Sequence, residues 1–166
     1  MAIQAGAFIY AADHNVTPQV YTPVLEAGTT DPTLGTGSTQ IGRYYVEPIS
    51  GWVRGQAKIR FGTTGTDAGS GIYLISLPTE INPFTTNQLL GFADVIGWGV
   101  VRDDSSAVTG PRLVVLHYWS ASGSSDGTGQ AYMAICDGTN DVVQHNRPFS
   151  WAASDAISVQ FAYPGA

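Results

Sequence analysis

Apolar and polar side chains alternate along residues 51–61, GWVRGQAKIRF. Val53, Ala57, Ile59 and Phe61 fall on one side, and Trp52, Arg54, Gln56, Lys58 and Arg60 fall on the other. A period of two is that of a strand with one face buried. The pattern recurs in Leu113, Val115, His117 and Trp119 against Val114, Leu116 and Tyr118, and in Ile157, Val159, Phe161 and Tyr163 against Ser158, Gln160 and Ala162. No segment of helical length carries an apolar stripe at i, i+3, i+4 and i+7; one short helical turn is placed at 85–91, TTNQLLG.

Strands are therefore expected at 39–47, 50–61, 70–77, 91–101, 110–119, 129–136 and 156–163. Residues 17–25, TPQVYTPVL, read as extended, because each proline pushes its predecessor towards β geometry. Gly, Ser, Thr and Asp clusters such as GTTGTDAGSG and SASGSSDGTG separate the strands as turns and loops. Many strands with frequent turns predict an all-β fold, an antiparallel β-sandwich of jelly-roll type. Residues 1–16 form an N-terminal arm and 17–166 a single domain, the usual number for 166 residues.

Charge narrows the function. Charged residues make up 12% of the chain, about half the usual fraction of roughly 25%, and the formal net charge is −6. That balance argues against nucleic acid, which needs a broad basic patch. No apolar run reaches the length of a membrane-spanning helix, so no membrane insertion is expected. The one cysteine, Cys136, cannot form an intrachain disulfide.

A search for chemistry returns little. His14, His117 and His145 have no metal-type spacing with each other or with Cys136, so no metal site is expected. His117 reads as a partly buried strand residue, and Asp103–Asp104 as a solvated turn rather than the start of a calcium site. No G-x-S-x-G elbow occurs, and neither glycine-rich stretch precedes a helix that could cradle a phosphate. The expectation is a chain that is not an enzyme and takes no cofactor.

Four blocks carry a resemblance. They are YTPVL (Tyr21–Leu25), DPTLGTGSTQIGRYY (Asp31–Tyr45), RFGTTGTDAGSGIYLISLP (Arg60–Pro78) and RPFSWAASDAISVQFAY (Arg147–Tyr163). In this order and spacing they resemble a family of small β-domains in bacteriophage virion proteins: tail fibres, minor tail proteins, head fibres and capsid surface proteins. One departure is that VEPIS, Val46–Ser50, stands where family members often carry a Gly-Lys turn. Most motif residues are expected to serve the fold. Pro78 ends a strand, Gly42, Gly62 and Gly71 sit at turns or bulges, and Phe149 and Trp151 plug one end of the sandwich.

The resemblance implies a virion structural protein on the capsid surface, a decoration protein or short head fibre, made in the host cytoplasm without a signal peptide. A domain with only a short arm fits that place better than a tail fibre with its long shaft. The expected partners are copies of the chain itself, with a homotrimer favoured, and other virion proteins such as the major capsid protein. The alternative is a tail-associated module binding host surface glycan through Trp98, Tyr118 or Trp119. Phe8, Ile9 and Tyr10 are the expected anchoring contacts of the arm. Trp52, Arg54, Lys58 and Arg60 form a stripe holding three of the seven Lys and Arg residues. Two readings of the stripe stand: a solvated face whose cations pair with acids on the neighbouring strand, or an interface with an acidic partner.

Overall fold

The computed structural model describes residues 16–48, 50–78, 94–106, 110–119, 130–136 and 141–164. The first fifteen residues, with Phe8, Ile9 and Tyr10, lie outside the described residues, as does the helical turn expected at 85–91. Among the described residues there are nine strands and no helix: β1 (Gln19–Tyr21), β2 (Leu25–Ala27), β3 (Thr39–Val46), β4 (Trp52–Arg60), β5 (Tyr73–Ser76), β6 (Val95–Arg102), β7 (Arg112–Trp119), β8 (Gln130–Ile135) and β9 (Ala156–Pro164). All pairings are antiparallel, in one sheet of order β1-β3-β4-β9-β6-β7-β8-β5-β2. The seven expected strands are all present; the extended segment at 17–25 contains the short edge strand β1, while β2 starts at its last residue, Leu25, and lies otherwise beyond it.

One face of this sheet holds the core, as the alternation requires. Val53, Ala57 and Ile59 of β4, Val114, Leu116 and Tyr118 of β7, and Ile157, Val159, Phe161 and Tyr163 of β9 all belong to a single buried cluster. Tyr44 of β3 and Tyr73 and Ile75 of β5 join the same cluster from near opposite edges. The sheet is therefore curled around its apolar side as a half-barrel.

A long hairpin accounts for the curl. Pairing runs from Leu25↔Ile75 through Thr30↔Ser70, Thr33↔Asp67 and Thr36↔Thr64 to Thr39↔Arg60 and on to Val46↔Val53. The register slips by one residue between Thr36 and Thr39. One end of this ribbon is β3–β4 and the other is β2–β5, which lie towards opposite edges of the sheet. The Gly/Thr-rich stretches at 28–38 and 62–72 thus form a paired arch across the open end, where the sequence predicts loops. Several of its glycines are demanded by space. A Cβ on Gly62 would sit 2.2 Å from the Thr36 carbonyl oxygen, and one on Gly69, at φ 63°, 2.2 Å from that of Thr30. Gly71 has positive φ, as a turn position would. Gly42 is neither turn nor bulge: it lies mid-strand in β3, and a Cβ there would strike the Tyr21 ring at 2.2 Å.

Phe149 and Trp151 close one end, as expected. Trp151 packs against Phe61 after β4, Tyr73 of β5 and Phe149, and its indole N–H donates to the Gln144 carbonyl at 2.9 Å.

The Asp103–Asp104 pair is a correction. Asp104 is ion-paired with Arg102, but Asp103 is buried, not solvated, and accepts from the Ser105 hydroxyl and the Ser106 N–H. Beside them Asp155 is fully buried, accepting from the Ser105 N–H at 2.9 Å and the Ala152 N–H at 2.7 Å. These bonds tie the segment after β6 to the start of β9. Burial is the largest influence on the Asp155 carboxyl and pushes its pKa up, against the pull of its N–H donors. A raised folded-state pKa gives stability that is complete below the unfolded value and lost as pH rises through the folded one. The wild type is therefore expected to lose this increment as pH climbs above the ordinary carboxylate range of about 4. Asp155→Asn lacks the titrating group and should not show that loss. Urea denaturation of both proteins over this climb checks it, and parallel pH profiles would contradict it.

Candidate functional site

The outer face of the sheet holds the cationic stripe. Trp52, Arg54, Gln56, Lys58 and Arg60 of β4 are all exposed, as the alternation requires. The flanking strands add to them. Arg43 of β3 pairs in register with Gln56, Gln56 with Gln160 of β9, and Gln160 with Trp98 of β6. These four residues line up across four adjacent strands. At about 4.8 Å per strand the row runs about 14 Å from Arg43 to Trp98. A parallel row runs Ile41, Lys58, Ser158, Val100 and Leu113.

Two adjoining hollows of about 570 and about 420 Å³ lie along these rows and share Arg43, Gln56, Trp98 and Gln160. Together they make a trough. Trp98 is positioned by its neighbours in the run GWG. A Cβ on Gly97 would lie 2.0 Å from the Gln160 carbonyl oxygen, and one on Gly99 2.4 Å from that of Ser158. Glycine at both positions lets β6 approach β9 closely and sets the indole beside Gln160. Trp98 is 54% exposed, Leu113 51% and Ile41 50%. Tyr118, by contrast, is completely buried, and Trp119 is half-buried against the edge of Tyr132. Of the three expected stacking residues, Trp98 alone has half its surface free.

The partners of the cations separate the two readings of the stripe. Strands β3 and β9, which flank β4, contain no Asp or Glu, and neither do β6 and β7. No cation of the stripe can therefore pair with an acid inside a flanking strand. Arg54 instead pairs with Glu47, in the turn between β3 and β4. The Ser50 hydroxyl and the Arg54 guanidinium hold the Glu47 carboxyl below its ordinary range. An exposed pair of this kind is screened by solvent and contributes little to stability. Arg60 donates to the Ser154 carbonyl at 3.2 Å. Among the described residues, Arg43 and Lys58 have no ion-pair or hydrogen-bond partner. Arg43 stands diagonally across from both Arg54 and Lys58, so like charges crowd around Gln56.

The trough lining offers two amides, guanidinium and ammonium groups, hydroxyls and an indole face, but no carboxylate, imidazole or thiol. That set can bind an anion and stack on a flat ring or an apolar surface. His117 is half-buried and stacks on Tyr132 with ring centroids 5.0 Å apart. Among the described residues no three His, Cys, Asp or Glu side chains gather where a metal ion could be held.

Sequence reasoning placed Trp52, Arg54, Lys58 and Arg60 on one outward face, and it missed Arg43 and the alignment of Gln56, Gln160 and Trp98. The alternation in GRYY could have turned Arg43 outward. The adjacency of β9 and β6 joins distant segments and leaves no local signal. No family model, curated protein or solved structure matches this chain.

Proposed function

We propose that this chain is a bacteriophage virion structural protein, a capsid-surface decoration protein or short head fibre, whose outer sheet face meets an acidic partner. The observation that carries the contact is the arrangement of cations. Four of the chain's seven Lys and Arg residues project from β3 and β4, and no strand flanking them on that face bears an acid. The face is also rich in Arg and aromatic side chains and poor in Asp and Glu, the composition of an interface centre rather than of a solvated surface. The four sequence blocks supply the bacteriophage reading, and the long hairpin wrapped round the curled sheet supports a jelly-roll-like architecture.

In this reading residues 1–16 anchor the protein, with Phe8, Ile9 and Tyr10 as contacts, and the chain assembles as a homotrimer. The edge strands β1 and β2 are three residues long, with Pro18 and Pro23 beside them, which disfavours assembly by extending the sheet. A chain lacking residues 1–15 is expected to keep the β-sheet circular dichroism of the full chain and to lose attachment to the particle. Undiminished incorporation of the truncated chain would remove the anchoring role.

A tail-associated module that holds host glycan is the second reading. It is favoured by the half-exposed indole of Trp98 beside the amide of Gln160.

A further inference from the structure

We infer that the trough across β3, β4, β9 and β6 binds a carboxylated oligosaccharide. The inference rests on the reading of the outer face as a contact for an acidic partner, and it names that partner's chemistry.

Three features select the class. The first is shape. Two adjoining hollows make an elongated depression rather than a flat patch, and the row from Arg43 to Trp98 is long enough for a short run of sugar rings. The second is the order of side chains along the row. Trp98 offers a free indole face at one end, on which the C–H side of a pyranose ring can stack. Gln160 and Gln56 follow, each with an amide oxygen and two N–H donors for ring hydroxyls. Arg43 closes the row, with Lys58 beside it, as cations without partners among the described residues.

The third feature is charge. Sites for neutral sugars draw on carboxylates to accept hydrogen bonds from hydroxyls, and this trough has none. A guanidinium instead matches a carboxylate with two parallel N–H bonds. Each uronic or sialic acid unit carries both parts the row recognises, a ring to stack and a carboxylate to clamp. An acidic peptide would satisfy Arg43 and Lys58 but would leave the Gln–Gln–Trp part of the row without a matching group. On a protein of net charge −6, the cationic patch also steers an anionic chain to this face.

The test is titration calorimetry of the full chain with three saccharide probes: oligogalacturonate and oligo-N-acetylneuraminate as carboxylated saccharides, and a neutral malto-oligosaccharide. Poly-glutamate serves as the acidic peptide. At least one carboxylated saccharide is expected to bind, and the malto-oligosaccharide is not. Trp98→Ala and the double variant Arg43→Gln/Lys58→Gln should each weaken binding at least tenfold without altering the circular dichroism spectrum. Trp98→Phe, which keeps a ring, should recover part of the affinity. Poly-glutamate binding that depends on Arg43 and Lys58 but not on Trp98, with no saccharide bound, would overturn the glycan while leaving the acidic contact intact. Binding of neither acidic saccharide at millimolar concentration, or binding unaffected by these substitutions, would also overturn it.

Discussion

Trp151→Ala is expected to cost the domain about 3–5 kcal/mol, the usual range for deleting a large buried aromatic side chain. Whole domains are stable by only about 5–15 kcal/mol, so the variant should be largely unfolded under mild denaturant. The reason is its position. The indole sits between Phe61, Tyr73 and Phe149, with ring centroids 5.7, 5.3 and 4.8 Å away. Phe61 follows β4 and Tyr73 lies in β5, on either side of the arch at 62–72, so the loss opens the closure of the curl. The Gln144 carbonyl also loses its indole N–H donor. Trp151→Phe keeps most of the packing and loses that N–H, and should cost about 1–2 kcal/mol, the value of a hydrogen bond plus a small cavity. Urea denaturation followed by circular dichroism measures both. An alanine variant within about 1 kcal/mol of wild type would contradict the plug, since buried aromatic truncations seldom cost so little.

Reversing two charges on the outer face is expected to leave the fold alone and to weaken attachment to the partner about a hundredfold. Arg43→Glu/Lys58→Glu is the informative pair, because among the described residues neither side chain has a partner to lose. The reversal also relieves crowding with Arg54, so the melting temperature should not fall. Arg54→Glu is a poorer probe: it would set a glutamate against Glu47 and disturb the β3–β4 turn. The wild-type contact should weaken as salt rises, since exposed charges are screened over about 10 Å at 0.1 M. Equal attachment of variant and wild type at low salt would reduce the stripe to a solvated face.

The strands were legible because each turns one face inward. Val114, Leu116 and Tyr118, expected on one side of β7, are all completely buried. Trp52, Arg54, Gln56, Lys58 and Arg60 are all exposed. The arch was not legible. Its bridges fall every third residue, at Thr30, Thr33 and Thr36, so no alternation marks them, and its glycines read locally as turns. Gly42 was misread for the same reason, since the Tyr21 ring that excludes a side chain there comes from another strand. The buried Asp103 looked like a solvated turn because the nearby Asp155, far along the chain, is invisible in the local sequence RDDSS. Of the candidate site, the β4 stripe could be read directly. The row from Arg43 to Trp98 could not, because it depends on β9 lying between β4 and β6.

The claim that the outer sheet face is a contact surface on a virion protein is tested most directly by cryo-electron microscopy of an intact particle containing this chain. Density for the domain is expected on the outside of the capsid, with residues 1–16 directed towards the shell and the face bearing Arg43, Lys58 and Trp98 against an acidic surface or open to an acidic glycan. Particles with no density for the chain on the capsid exterior, or with that face packed against a neutral or basic surface, would contradict it.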